Sequence, residues 1–220
     1  MSILAAGFNE VLQQNLTLEN VRDEVRQLLH AIDSERFPMG RNNASVAELA
    51  FELLKSNSNN ALSQIFCSKC DYNHTEYLDQ LGFTFNLTSR KYSSTQKWIS
   101  SLEKPSRERC PECSEKLIHQ IEYIKTPKIL ALEYPFTNIR SSHQIKIQID
   151  NETTCLSLKG IVYHGQNHFT SRIIDSDGTI WYNDGMESGG QSIEDSHLST
   201  ITDGNLRKCN GKNLVLAIYA

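Results

Sequence analysis

Two Cys-x-x-Cys pairs, Cys67/Cys70 and Cys110/Cys113, restrain this chain more than any other feature. Two residues between cysteines let both sulfurs of a knuckle approach one ion. Two knuckles then close a tetrahedral zinc site with no position left for water. The stretch between the pairs is long, but closure entropy grows only slowly with loop length. The pattern therefore predicts one structural zinc ion on Cys67, Cys70, Cys110 and Cys113, with His74 and His119 as spare donors. The competing readings are unligated thiols or a redox pair, and a redox pair usually sits before a helix in a βαβ unit. The first ten residues, Met1 to Glu10, carry no positive start and no long apolar run, unlike a signal peptide. Cysteines used this way point to a reducing compartment, cytoplasmic or nuclear. No run approaches the ~18 apolar residues of a membrane span, so no membrane partner is expected. The net charge of −4 opposes a nucleic-acid surface, for which Arg107, Arg109 and Lys116 beside the second knuckle are the sole support.

Periodicity divides the 220 residues into three parts. Residues 1–60 read as helical. Leu4, Phe8, Val11 and Leu12 share one helical face. Val21, Val25, Leu28, Leu29 and Ile32 repeat at intervals of three and four behind a Thr17 cap. Phe37-Pro38-Met39-Gly40 breaks that pattern, and Ser45-Val46-Ala47-Glu48 is a capping box for the next helix. Residues 61–128 hold the cysteine pairs, an alternating Phe83/Phe85/Leu87 and a short helix from Ser94 to Leu102 carrying Trp98. From Leu117 onward the period becomes two, and residues 129–220 read as successive strands: Ile129–Tyr134, Ile145–Ile149, Leu156–Tyr163, Phe169–Ile174, Thr179–Tyr182 and Leu214–Tyr219. Asp177-Gly178 is a hairpin signal. Met186 to Glu194 reads as a flexible loop and Asp203-Gly204 as a turn. The fold class is α+β.

One histidine stands out. Tyr163-His164-Gly165-Gln166-Asn167-His168 leads into a strand, and Trp181-Tyr182-Asn183-Asp184 ends the next. Pairing through Asp177-Gly178 brings His168 and Asn183 to one end of the hairpin, where an amide or carboxylate accepts an imidazole N–H and fixes its tautomer. On spacing alone, a histidine at a strand start is more often structural.

Taken in order, the two Cys-x-x-Cys pairs, the strand Leu130-Ala131-Leu132-Glu133-Tyr134, the His168-Phe169 step, the Asn183-Asp184 run and the terminal apolar strand resemble the ubiquitin-specific protease family from about residue 65 to 220. The resemblance implies a papain-like hand: a helical thumb remnant over 1–60, zinc-ribbon fingers over 61–128 and an antiparallel palm over 129–220, forming one composite domain. It implies thiol isopeptidase chemistry on ubiquitin or a ubiquitin-like modifier. His168 takes the place of the general base, with Asn183 as its orienting partner and Asp184 beside it. Gln166 and Asn167 occupy the place of a loop that touches the modifier's tail, and the Pro135–His143 loop the place of another.

The sequence departs from the family at two points. Asn167 precedes His168 where the family usually has Gly, as in the branch that acts on other small modifiers. No cysteine precedes Cys67, so the family's nucleophile box has no counterpart here, and a base without a nucleophile forms no acyl-enzyme. Cys155 and Cys209, the latter preceded by Arg207 and Lys208, are the remaining thiols. The expectation is thus an isopeptidase-type hand lacking its nucleophile, either a truncated piece of an enzyme or a chain that receives the cysteine from another polypeptide. The alternative is a modifier-binding scaffold without chemistry.

Overall fold

The computed structural model describes residues 9–11, 13, 17–40, 45–55, 59–79, 81–84, 93–101, 104–134, 139–149, 152–187 and 191–220. The expectations on Leu4, Phe8, Leu12, Phe85, Leu87, residues 135–138 and Gly189-Gly190 lie outside them. Helix α1, Leu18–Ile32, starts at a reciprocal cap: the Thr17 hydroxyl accepts the Asn20 N–H at 3.2 Å, and the Asn20 side chain accepts the Thr17 N–H. Its Val21, Val25 and Leu29 stripe buries against Phe37, Leu49 and Leu53 in a small core of its own. Helix α2, Val46–Leu53, is capped by Ser45, whose hydroxyl accepts the Glu48 N–H.

A four-stranded antiparallel sheet follows, made of β1 (Ala61–Cys67), β2 (Asn73–Leu78), β4 (Lys104–Arg109) and β5 (Lys116–Tyr123) in the order β2-β1-β5-β4. Asn60 ties its base together. The Asn60 carbonyl accepts the Ile124 N–H, and its side-chain amide donates to the Asp79 carbonyl. Periodicity predicts β5 but not β1, β2 or β4. β1 is half-buried along most of its length and β2 is exposed except at Leu78. These strands are held by ladder hydrogen bonds rather than by one apolar face, so they leave no alternation to read.

The second sheet has nine strands: β3 (Gly82–Thr84), β6 (Leu130–Glu133), β7 (Gln144–Ile149), β8 (Glu152–Gly165), β9 (His168–Ile174), β10 (Thr179–Asn183), β11 (Ser192–His197), β12 (Lys208–Cys209) and β13 (Lys212–Tyr219). Its main path runs β11-β10-β9-β8-β13-β6-β3, with β7 on β8 and β12 on β13. All pairs are antiparallel except β3 with β6. Leu130, Ala131, Leu132, Leu158, Ile161, Tyr163, Leu216 and Tyr219 are buried in its core, with β6 covered on both faces. Helix α3 (Thr95–Ser101) adds Trp98 to this core. Two expectations change. Ser192–Glu194 begin strand β11 rather than ending a loop, because they complete the ladder to Trp181–Asn183. Asp203-Gly204 open a short helix α4, Asp203–Arg207, capped by the Thr202 hydroxyl on the Asn205 N–H. No described helix is long and apolar enough to cross a membrane.

Candidate functional site: an imidazole–carboxylate pair and a four-sulfur cluster

The turn between β8 and β9 places His168. Gln166 and Asn167 both have left-handed backbones, φ 56° and 57°. That is the conformation of a two-residue turn whose twist matches its strands. It pairs Gly165 with His168 and leaves Gln166 and Asn167 exposed at the tip. His164 and Phe169 stack across the pair on the opposite face, ring centroids 4.4 Å apart.

The turn between β9 and β10 selects the partner of His168. The loop has three residues, Ser176–Gly178, closed by the Asp175 N–H on the Thr179 carbonyl, with Gly178 at φ 96°. It sets Ile174 opposite Ile180 and Ser171 opposite Asn183. Directly opposed residues share a face of the sheet and successive residues alternate. Asn183 therefore lies on the face of Ser171, and Asp184 on the face of His168, Thr170 and Arg172. A two-residue turn at Asp177-Gly178 would slip the register by one and put Asn183 there instead.

The contacts follow this parity. His168 Nε2 lies 2.7 Å from Asp184 Oδ1. Asn183 instead donates from Nδ2 to the Ser192 hydroxyl at 3.4 Å. The sequence reading placed Asn183 as the orienting partner with Asp184 beside it; in the structure the bond to the imidazole comes from Asp184. Asp184 also accepts the Met186 N–H at 3.0 Å and the Tyr182 phenol, on Oδ2, at 3.3 Å. These last two partners escaped the sequence reading, although Tyr182 sits two residues before Asp184 on the same strand face. The Asp184 side chain is 2% exposed and that of His168 is 24% exposed. The His168 N–H, and behind it the Met186 and Glu187 amides, hold the Asp184 carboxyl below its ordinary value despite burial. An ionised carboxylate accepts only, so Nε2 carries the proton and Nδ1 presents its lone pair. Nδ1 has no hydrogen-bond partner among the described residues.

Neither remaining thiol reaches that lone pair. Cys155 is exposed and pairs with Lys146 near the far end of β8, roughly 33 Å along the strand from Gly165. Cys209 shares the face of His168 but lies three strands over, through Gly165 and Lys212, roughly 14 Å away. It is buried, and burial pushes its thiol up, the opposite of what a nucleophile needs.

At the tip of the four-stranded sheet the two knuckles meet. Cys67 and Cys113 sulfurs lie 3.4 Å apart, as do those of Cys70 and Cys110, and all four lie within 4.8 Å of one another. Tetrahedral zinc with ~2.3 Å bonds spaces its sulfurs by about 3.8 Å, so the cluster fits that ion. The Lys69 N–H donates to the Cys67 sulfur and, with smaller help from Cys113 and Cys70, pulls that thiol down to about 7. At Cys70 the Tyr72 amide acts the same way, but the Cys110 and Cys67 sulfurs and burial outweigh it and raise the thiol. Lys69 and Glu115 form an ion pair that clips one knuckle to the other. His74 is exposed and His119 lies up the strand beside Glu108, so neither joins the cluster.

No family model matches the chain, and no curated protein matches it. Solved structures do. The yeast SAGA deubiquitinase module with mutant Sgf73 is 13% identical with a TM-score of 0.52, over 92% of this chain and 49% of that one. The SAGA module of Ubp8, Sgf11, Sus1 and Sgf73 bound to monoubiquitin is 15% identical with a TM-score of 0.49, over 92% and 46%. The same module bound to ubiquitin aldehyde is 15% identical with a TM-score of 0.47, over 74% and 41%. This chain spans less than half the length of the chains it matches. The first of these likenesses shows the architecture and nothing of the chemistry: the chain is an α+β protein with a ubiquitin-specific-protease-like fold, carrying a four-cysteine cluster compatible with zinc.

Proposed function

We propose that this chain is the modifier-gripping hand of a thiol isopeptidase, holding ubiquitin or a ubiquitin-like protein and supplying the general base but not the nucleophile. The observation that carries this reading is the 2.7 Å bond between His168 and the buried Asp184. Such a carboxylate fixes the tautomer that leaves Nδ1 free to take a proton from a thiol, and stabilises the imidazolium that results. Residues 1–60 act as the thumb side, 61–128 as fingers stiffened by one structural zinc on Cys67, Cys70, Cys110 and Cys113, and 129–220 as the palm. Gln166 and Asn167, exposed at the rim beside His168, touch the modifier's tail. The work is done in the reducing cytoplasm or nucleus.

Chemical rescue tests the base. The substrate is ubiquitin bearing a C-terminal fluorogenic amide, and the added nucleophile is a small thiol. The thiol attacks the terminal carbonyl, His168 Nδ1 takes its proton and returns it to the departing amine, and a ubiquitin thioester forms. The expected rate saturates with substrate and is lost in His168→Ala. A rate equal to that of buffer, with ubiquitin and ubiquitin-like substrates alike, defeats the proposal. A second reading, binding without chemistry, is favoured by the remote positions of Cys155 and Cys209. It predicts modifier binding with no thiol-dependent turnover, and no adduct with a ubiquitin carrying a C-terminal electrophile.

A further inference from the structure

A cleft of about 630 Å³ lies between β5 of the four-stranded sheet and α3 and β7 of the larger one. It sits at the opposite end of β8 from His168, since Thr153 at its rim is roughly 40 Å along that strand from Gly165. Its volume is that of a ligand site, about 300–1,000 Å³, but its walls are polar. Three carboxamides, those of Gln96, Gln120 and Gln148, converge on it. Lys146 lines it from β7 and Glu122 from β5.

The β7 wall is a strand edge. β7 pairs with β8 on one side, and no described strand lies on its other side. On that other side the Gln96 side chain closes on the backbone of Lys146. Its Oε1 accepts the Lys146 N–H at 2.6 Å, and its Nε2 donates to the Lys146 carbonyl at 3.0 Å. One carboxamide thus makes both bonds that a neighbouring strand would make. The contact also fixes which residues point outward. In an antiparallel ladder the N–H and C=O of one residue point the same way, and successive residues alternate. Lys146 points away from β8, so Gln148 does too, while Ile147 and Ile149 bond to β8. The bond from the Leu158 N–H to the His143 carbonyl agrees with this parity. Gln148 therefore presents an N–H and a C=O to the cleft, beside a position where the edge already accepts a peptide-like amide.

We infer that this cleft binds an extended peptide of a partner protein by strand addition. The peptide continues the ladder that Gln96 begins on β7, pairing with the Gln148 backbone. Gln120 and Thr153 complete its polar surroundings, and Lys146 and Glu122 favour a segment carrying one acidic and one basic side chain. Recognition is mostly through backbone groups, so the sequence preference is loose. The inference does not rest on the proposed isopeptidase role, and a chain without any modifier affinity retains the site.

The test starts from a phage-displayed random heptapeptide library selected on the full chain, with enriched sequences remade as acetylated, amidated peptides. Gln148→Pro removes the outward N–H without touching the ladder to β8, a placement that edge strands accept. Gln148→Ala keeps it. The peptides are expected to bind wild type and Gln148→Ala alike. They should lose about tenfold or more against Gln148→Pro, because a peptide carbonyl is left unpaired. His168→Ala should leave peptide binding as it is in wild type. A second measurement uses only the wild-type protein: the peptide should slow amide exchange at Gln148, and N-methylation of the peptide backbone should abolish that. Failure to enrich any peptide overturns the inference. So does binding indifferent to both Gln148→Pro and N-methylation, or protection of Gln148 that comes from a second copy of the chain.

Discussion

Removing metal from the cysteine tip should unfold the tip and leave the larger sheet standing. Cys67, Cys110 and Leu117 form its buried core, flanked by half-buried Ile65, Cys70 and Tyr72. Full burial of Leu117 is worth about 1.5–3 kcal/mol. Ordering the knuckles Cys67–Cys70 and Cys110–Cys113 costs about 8–16 kcal/mol, at 1–2 per residue. Zinc on four thiolates contributes roughly 10–16 kcal/mol, which closes the gap that apolar burial leaves. The main core, which runs from Ala47 to Tyr219, does not share that dependence. Elemental analysis of the purified chain should therefore find one zinc. A chelator, or Cys110→Ser, should then release exchange protection at the amides of Cys67, Cys110 and Ser114, whose bonds close the knuckles. Amides in β8, β9 and β13 should stay protected. Tip amides that remain protected after the metal has gone would refute the reasoning, as would a larger sheet that melts with the tip.

Two further outcomes bear on the imidazole–carboxylate pair. Because the Asp184 carboxyl is depressed in the folded chain, its ionised form stabilises the native state above the unfolded value near ~3.9. That stabilisation fades as pH falls through the lower folded value. The melting temperature of Asp184→Asn should lie below wild type at neutral pH, and the two should converge as acidity passes that window; a constant gap would show that the charge is not involved. Gly178→Ala should cost about 1–3 kcal/mol in urea unfolding. Its φ is 96° and an added Cβ would lie 2.9 Å from His197 Nε2, which bonds the Asp177 carbonyl; a loss under ~0.5 kcal/mol, the range of neutral surface changes, would show that the loop does not depend on glycine.

Most strands of the larger sheet were legible from their apolar residues; β11, exposed along most of its length, was not. Ile145 and Ile147 alternate with exposed Lys146 and Gln148, and the Leu130–Leu132 run is wholly buried, as a central strand should be. Those of the four-stranded sheet were not, apart from β5. Asn73–Leu78 is a strand because its backbone pairs with Ala61–Phe66, and its side chains carry almost no burial signal. His197 has no partner at readable spacing in the sequence, yet it bonds the Asp177 carbonyl, a contact between residues twenty apart that comes with the pairing of β10 and β11.

The sequence by itself determined that four thiols would seek one ion, that helices would give way to antiparallel strands, and that His168 would stand beside an Asn-Asp pair. These are matters of residue type and period, fixed by local chemistry. Which of the pair meets the imidazole was decided only by the tertiary structure. The choice rests on parity, and parity is set by whether the hairpin loop holds two residues or three. Gly178, in its left-handed conformation, makes it three. That one residue turns Asp184 inward to His168 and Asn183 outward to Ser192.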